Sequence, residues 1–154
     1  MARRVLHGID LTVPPDVAWE AFCHVDEWPR WFPSLSAVER AGTGPFVVGE
    51  RLRLHLGFRG HGAKVSVEVT HSTPGREVRW MGRSFGVTGD HAFRIEPIDR
   101  VGGAPLARFV SEELFSGLPV RLLPGSIFGE LERETVAGLQ RFKSLVEDLP
   151  SRSS

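Results

Sequence analysis

The chain has no tyrosine, one cysteine and two methionines among its 154 residues. Without tyrosine, no phenolic hydroxyl is available to any site. A single thiol, Cys23, excludes an intramolecular disulfide and points to a reducing compartment. Set between Phe22 and Val25, it reads as a small buried hydrophobe rather than a nucleophile. Excess charge is missing too: Lys plus Arg and Asp plus Glu number 19 each, for a formal net charge of zero. Bulk nucleic-acid binding draws on a basic excess that neutralises phosphates, and no block of like charge supplies one locally, so nucleic acid is not an expected partner. No apolar run reaches transmembrane length, and "MARRVLHGIDLTVPPD" lacks both an apolar signal region and a small-residue cleavage site. These absences predict a cytoplasmic protein without stable membrane insertion.

What remains is an ordinary globular composition, 41% hydrophobic and 25% charged, at the length of one domain. Residues 1–149 are expected to form that domain, and 150–154 a flexible tail. "RVLHGIDLTV" alternates, placing Val5, His7, Ile9, Leu11 and Val13 on one face of a strand. "PPDVAWEAFCHV" follows as a short helix, with Pro15 in its first turn and Asp16 at the positive end of its dipole. "EWPRWFP" then concentrates Trp28, Trp31 and Phe32 at i, i+3 and i+4 between prolines that limit a helix to about one turn. It reads as an aromatic wedge at an end of the sheet, sealing the space beneath a long helix.

Hairpins follow. Leu52, Leu54 and Leu56 share a face, as do Val65, Val67 and Val69, then Val78 and Trp80, then His91, Phe93 and Ile95, then Phe109, Ser111, Glu113 and Phe115. From Ile127 to Val146 the apolar spacing becomes helical over about five turns. The order is a strand, two short helices, about six more strands and one long amphipathic helix. An antiparallel sheet with one apolar face, covered by that helix, makes an α+β two-layer domain.

The chemistry is sparse. "GTGPFVVG" lacks the ending of a phosphate-binding loop and is assigned to a turn. His55 and His61 flank a hairpin turn without a carboxylate or cysteine to complete a metal set, so no metal site is expected. Ser111 has no nucleophile-elbow context. The face bearing Arg51, Arg53 and His55 reads as solvated, with a docking surface as its alternative. His91 and Glu113 differ, because the alternation puts them inside. Around a turn near Gly102 and Gly103, facing residues sum to 204 or 206. His91 then meets Glu113 directly or on the diagonal, and the side chains are in reach either way. The pair is either mutually satisfied structure or a cavity-facing group that binds a ligand oxygen or moves a proton. "SGLPVRLLPGSIFG" is either a connector or a lid over that cavity.

Together with this order, "IDLTVPPDVAWEAFCHVDEWPRWFP", "VGERLRL", "REVRWMG", "GDHAFRIEP", "SEELFSGLP" and "GLQRFKSLVE" resemble the polyketide cyclase/dehydrase branch of the START-like (SRPBCC) helix-grip superfamily. The resemblance covers nearly the whole chain. It implies a seven-stranded sheet wrapped around the C-terminal helix, with a ligand cavity between them. The lack of tyrosine departs from it by withholding a common cavity hydroxyl, and no compact catalytic signature carries over. Binding of a small hydrophobic ligand, such as a polyketide, lipid or aromatic compound, is the expected function. The alternatives are a polyketide cyclase or aromatase using His91 and Glu113 without metal or other cofactor, and a protein-interaction module. The expected wall comprises Trp19, Trp80, His91, Phe93, Phe109, Ser111, Glu113, Phe115 and Phe142. The sequence leaves the oligomeric state open.

Overall fold

A computed structural model describes residues 2–58 and 60–148. The tail expected at 150–154 lies outside the described residues. Strand β1 (Arg3–Asp10) leads into α1 (Pro15–Cys23) and a 3₁₀ helix (Val25–Arg30). Six strands follow: β2 (Leu35–Arg40), β3 (Arg51–Phe58), β4 (His61–Thr73), β5 (Glu77–Ser84), β6 (Val87–Arg100) and β7 (Gly103–Ser116). A short α2 (Leu118–Leu122) precedes the long α3 (Gly125–Glu147). The seven strands form one antiparallel sheet in the order β1-β7-β6-β5-β4-β3-β2, so the first strand closes against the last. The fold is α+β, a helix-grip in which the sheet wraps around α3.

Local chemistry explains the helices. Pro15 occupies the first turn of α1, where its missing N–H costs nothing, and Asp16 follows at the positive end of the dipole. Pro29 lies inside the 3₁₀ helix, a tighter form used in short pieces, and no α-helix develops there. The turn delivers Trp28, Trp31 and Phe32 to the interior, all buried. The indole N–H of Trp28 donates to the Phe22 carbonyl at 2.7 Å, which ties the wedge to the end of α1. Helix α2 is absent from the sequence expectations. Gly117 and Pro124 bracket it and Pro119 sits in its first turn, yet the five residues Leu118–Leu122 suffice for one helical turn that buries Val120.

The wedge enters the interior more deeply than a seal at the sheet's end requires. Trp31 packs edge-on against Phe142 of α3 at 5.1 Å and against Phe109 of β7 at 5.5 Å. Trp28 stacks on Trp80 of β5 at 5.4 Å. Gly138 makes this approach possible: a Cβ there would lie 2.8 Å from the Trp31 carbonyl oxygen and 3.1 Å from the Pro33 ring. Arg141, one turn along, donates to that same carbonyl at 3.1 Å. The outer sheet face instead carries ion pairs. Glu112 of β7 accepts from Arg94 of β6 at 2.8 Å and pairs with Arg4 of β1 at 3.1 Å.

Candidate functional site

Strand alternation sets side chains in rows across the concave face. Trp80, His91, Glu113 and Val5 are consecutive partners across β5, β6, β7 and β1. One step toward the β5–β6 turn, the row reads Gly82, Gly89 and Phe115. Two facing glycines leave β5 and β6 without side chains at that level, and a cavity of about 320 Å³ opens there between sheet and α3. Gly82 has a further reason to be glycine, since a Cβ would come within 2.7 Å of the Val67 side chain. Helix α3 contributes Leu131, Glu134, Thr135, Gly138 and Leu139 to the cavity, the spacing of one helical face. The wedge supplies Trp31, Phe32, Pro33 and Ser34.

One polar feature of this wall is a chain of three side chains. The β6–β7 register is the one with sum 204, so His91 faces Glu113 directly and Ser111 on the diagonal. His91 Nδ1 lies 2.8 Å from Glu113 Oε2, and His91 Nε2 lies 2.9 Å from Ser111 Oγ. Ser111 and His91 retain 4% and 8% of their accessible surface. The imidazole is packed among rings, with Phe93 at 4.2 Å, Trp80 at 5.5 Å and Phe32 at 5.7 Å. Such a chain can hold a ligand oxygen or carry a proton between the imidazole and the cavity. The Trp31 indole N–H is buried with no hydrogen-bond partner among the described residues.

Of the residues expected on the wall, Trp80, His91, Phe93, Ser111, Glu113 and Phe115 line the cavity. Trp19, Phe109 and Phe142 lie elsewhere. Phe109 and Phe142 close on each other at 4.1 Å, both fully buried. Trp19 is half-buried on α1, 5.5 Å from Phe22. For Phe109 and Phe142 the physical reason is Trp31, which packs against both rings and presents its own surface to the void, whereas Trp19 packs on Phe22 of its own helix. Inner-face alternation cannot reveal that an inserted ring screens half of the face. The wedge residues and the Gly82–Gly89 pair are among the wall members that alternation missed. Their signals were present: aromatic residues crowded beside prolines, and glycines at inward strand positions.

Other candidates separate from the cavity. No residue of 117–125 lines it; Pro119 packs beside Gly86 of the β5–β6 turn, leaving Leu118 and Leu122 exposed. Burial pushes the Cys23 thiol up to about 11, away from a thiolate nucleophile. On the outer face His55 pairs with Glu39 at 2.7 Å, while Arg51 and Arg53 stand opposite Glu68 and Glu39 on neighbouring strands. That surface is therefore of mixed sign. Among the described residues, no group of three His, Cys, Asp or Glu side chains is placed to hold a metal ion. No helix among them is long and apolar enough to cross a membrane.

Residues 3–147 match the family described as polyketide cyclase/dehydrase and lipid transport. The chain belongs to that family. Solved structures bear out the family's fold. The ZhuI aromatase/cyclase from Streptomyces sp. R1128 is 20% identical, with a TM-score of 0.75 over 96% of this chain and 94% of that one. A START superfamily protein from Mycobacterium smegmatis is 17% identical, with a TM-score of 0.71 over 96% and 99%. Norcoclaurine synthase from Thalictrum flavum, in complex with dopamine and hydroxybenzaldehyde, is 13% identical, with a TM-score of 0.65 over 99% and 90%. At these identities the likeness is one of fold. No curated protein matches the chain in sequence. Family and fold together support ligand binding or cyclase chemistry in general terms.

Proposed function

We propose that the protein binds a small, mostly apolar molecule carrying one or more oxygens in the cavity between sheet and α3. The observation that carries this reading is an apolar void of about 320 Å³ with a hydrogen-bonded imidazole on its wall. Ligand sites are commonly concave and apolar with a few placed polar groups, and this volume lies at the small end of their range, about 300–1,000 Å³. A compound of two or three fused rings, or a short acyl chain, suits it better than a long lipid. The test is native mass spectrometry of protein isolated from its own host, with titration by an apolar fluorescent probe. One bound small molecule and a saturable 1:1 titration are expected; folded protein that takes up no apolar probe at any concentration overturns the reading.

The Glu113–His91–Ser111 chain favours a second reading, in which bound substrate is also transformed. A neutral imidazole receives a proton from carbon or oxygen of a folded poly-β-keto substrate and returns it as water leaves, giving aldol closure and dehydration without metal or nucleotide. Turnover of a poly-β-keto thioester that falls at least about 100-fold in His91→Phe supports this reading. Unchanged product distribution with and without protein sinks it and leaves binding standing.

A further inference from the structure

The direction of each hydrogen bond around the cavity specifies more than its apolarity does. An ionised carboxylate only accepts, so Glu113 Oε2 at 2.8 Å calls for the proton on His91 Nδ1. With the ring neutral, its Nε2 is bare, and the contact at 2.9 Å is Ser111 donating its hydroxyl to the ring. Its only proton spent, Ser111 Oγ offers the cavity lone pairs. Two other hydroxyls on the wall are committed in the same sense. Ser34 donates to Glu134 at 3.0 Å, and Thr135 donates to the Leu131 carbonyl at 2.9 Å. The carboxylates of Glu113 and Glu134 add further acceptors to the lining. Against them stands the unpartnered indole N–H of Trp31.

We propose that this cavity selects its ligand by a hydroxyl donor, taking a phenol or enol in preference to the matching aldehyde or ketone. The inference rests on the binding reading above and names its ligand class. A carbonyl oxygen set against Ser111 Oγ meets a second acceptor and leaves both desolvated without a proton between them. A ligand O–H in that place completes a run from ligand to Ser111 to His91 to Glu113, with every donor matched. Loss of one neutral hydrogen bond of this kind corresponds to roughly threefold to tenfold in affinity.

Three probes of one ring system test this: 2-naphthol, 2-naphthaldehyde and naphthalene, titrated into the parent protein, Glu113→Gln and His91→Phe at about pH 8. The quantity read is the 2-naphthol to 2-naphthaldehyde affinity ratio in the parent relative to each variant, which cancels the probes' own hydration. In Glu113→Gln the amide supports either imidazole tautomer. In His91→Phe the Ser111 hydroxyl is freed to donate. The ratio is expected to fall by roughly threefold to tenfold in both. Ring nitrogen NMR of the parent should show His91 protonated at Nδ1 and bare at Nε2. Equal ratios in all three proteins, or a His91 proton on Nε2, overturn the inference while leaving the cavity a binding site. Failure of naphthalene and both derivatives to bind overturns the binding reading itself, and this inference with it.

Discussion

Phe142 and Trp80 are both large, buried and inward-facing, yet they answer to different demands. Phe142 has rings on two sides, Phe109 at 4.1 Å and Trp31 at 5.1 Å, and no share in the cavity wall. Phe142→Ala should therefore cost about 3–5 kcal/mol in denaturant unfolding while the probe affinity of the folded fraction changes less than about twofold. A large affinity loss at unchanged stability would place the void against Phe142 after all. Glu112, on the opposite side of the sheet, keeps 16% of its side-chain surface. Its hydrogen bond from Arg94, with the charges of Arg94, Arg4 and Arg79, outweighs burial and holds its carboxyl below the usual 4.5. A value depressed in the folded state means stability that is present above the unfolded carboxyl's range and lost as pH falls through the folded value. Glu112→Gln should lower stability by about 1–3 kcal/mol at neutral pH, with the difference shrinking below about pH 4. Parallel stability–pH curves for parent and variant would show that the network contributes nothing.

Elements position these residues, and the cavity exists because two strands withhold side chains at one level. Gly82 and Gly89 face each other across β5 and β6, but only Gly82 is constrained by a neighbouring side chain. At Gly89 the nearest atom to an added Cβ is Phe115 Cε1 at 4.0 Å, and the added atoms would enter the void. Gly89→Val should reduce probe affinity at least about tenfold while leaving stability unchanged or raised, because a β-branched residue suits a strand and buries apolar surface. Thermal denaturation and titration on one sample check both signs, and undiminished affinity would exclude the Gly82–Gly89 level as the binding space. Helix α3 divides its labour along its length. Leu131, Thr135 and Leu139 meet the void, whereas Phe142 and Val146 meet the packed core.

At the scale of the whole molecule, sheet and helix leave an apolar cavity between them. A ligand that binds only the folded form should stabilise it by about 2.7 kcal/mol at a free concentration 100 times its Kd. For a chain of this size that corresponds to a Tm rise of about 5–10 °C, read by differential scanning fluorimetry with a saturating naphthalene-type probe. A Tm unmoved at saturation would mean that the probe binds folded and unfolded chains alike, as surface adsorption does.

The sequence by itself determined the element order apart from α2, the antiparallel sheet and the inward faces, because periods of two and 3.6 residues are local properties of the backbone. Hairpin arithmetic narrowed His91 and Glu113 to two registers on the same grounds, since facing residues around one turn share a sum. The choice between those registers depended on the β-bulge between Ile98 and Arg100, which carries no clear mark in the sequence. Tertiary structure alone decided where the interior is full and where it is hollow. Trp31 had to travel from the wedge to a place beside Phe109 and Phe142 before those rings became core and Trp80 became wall. Pairing of Gly82 with Gly89 likewise needed β5 and β6 in register. Alternation reports which way a side chain points; what it meets there depends on chain segments far away in sequence.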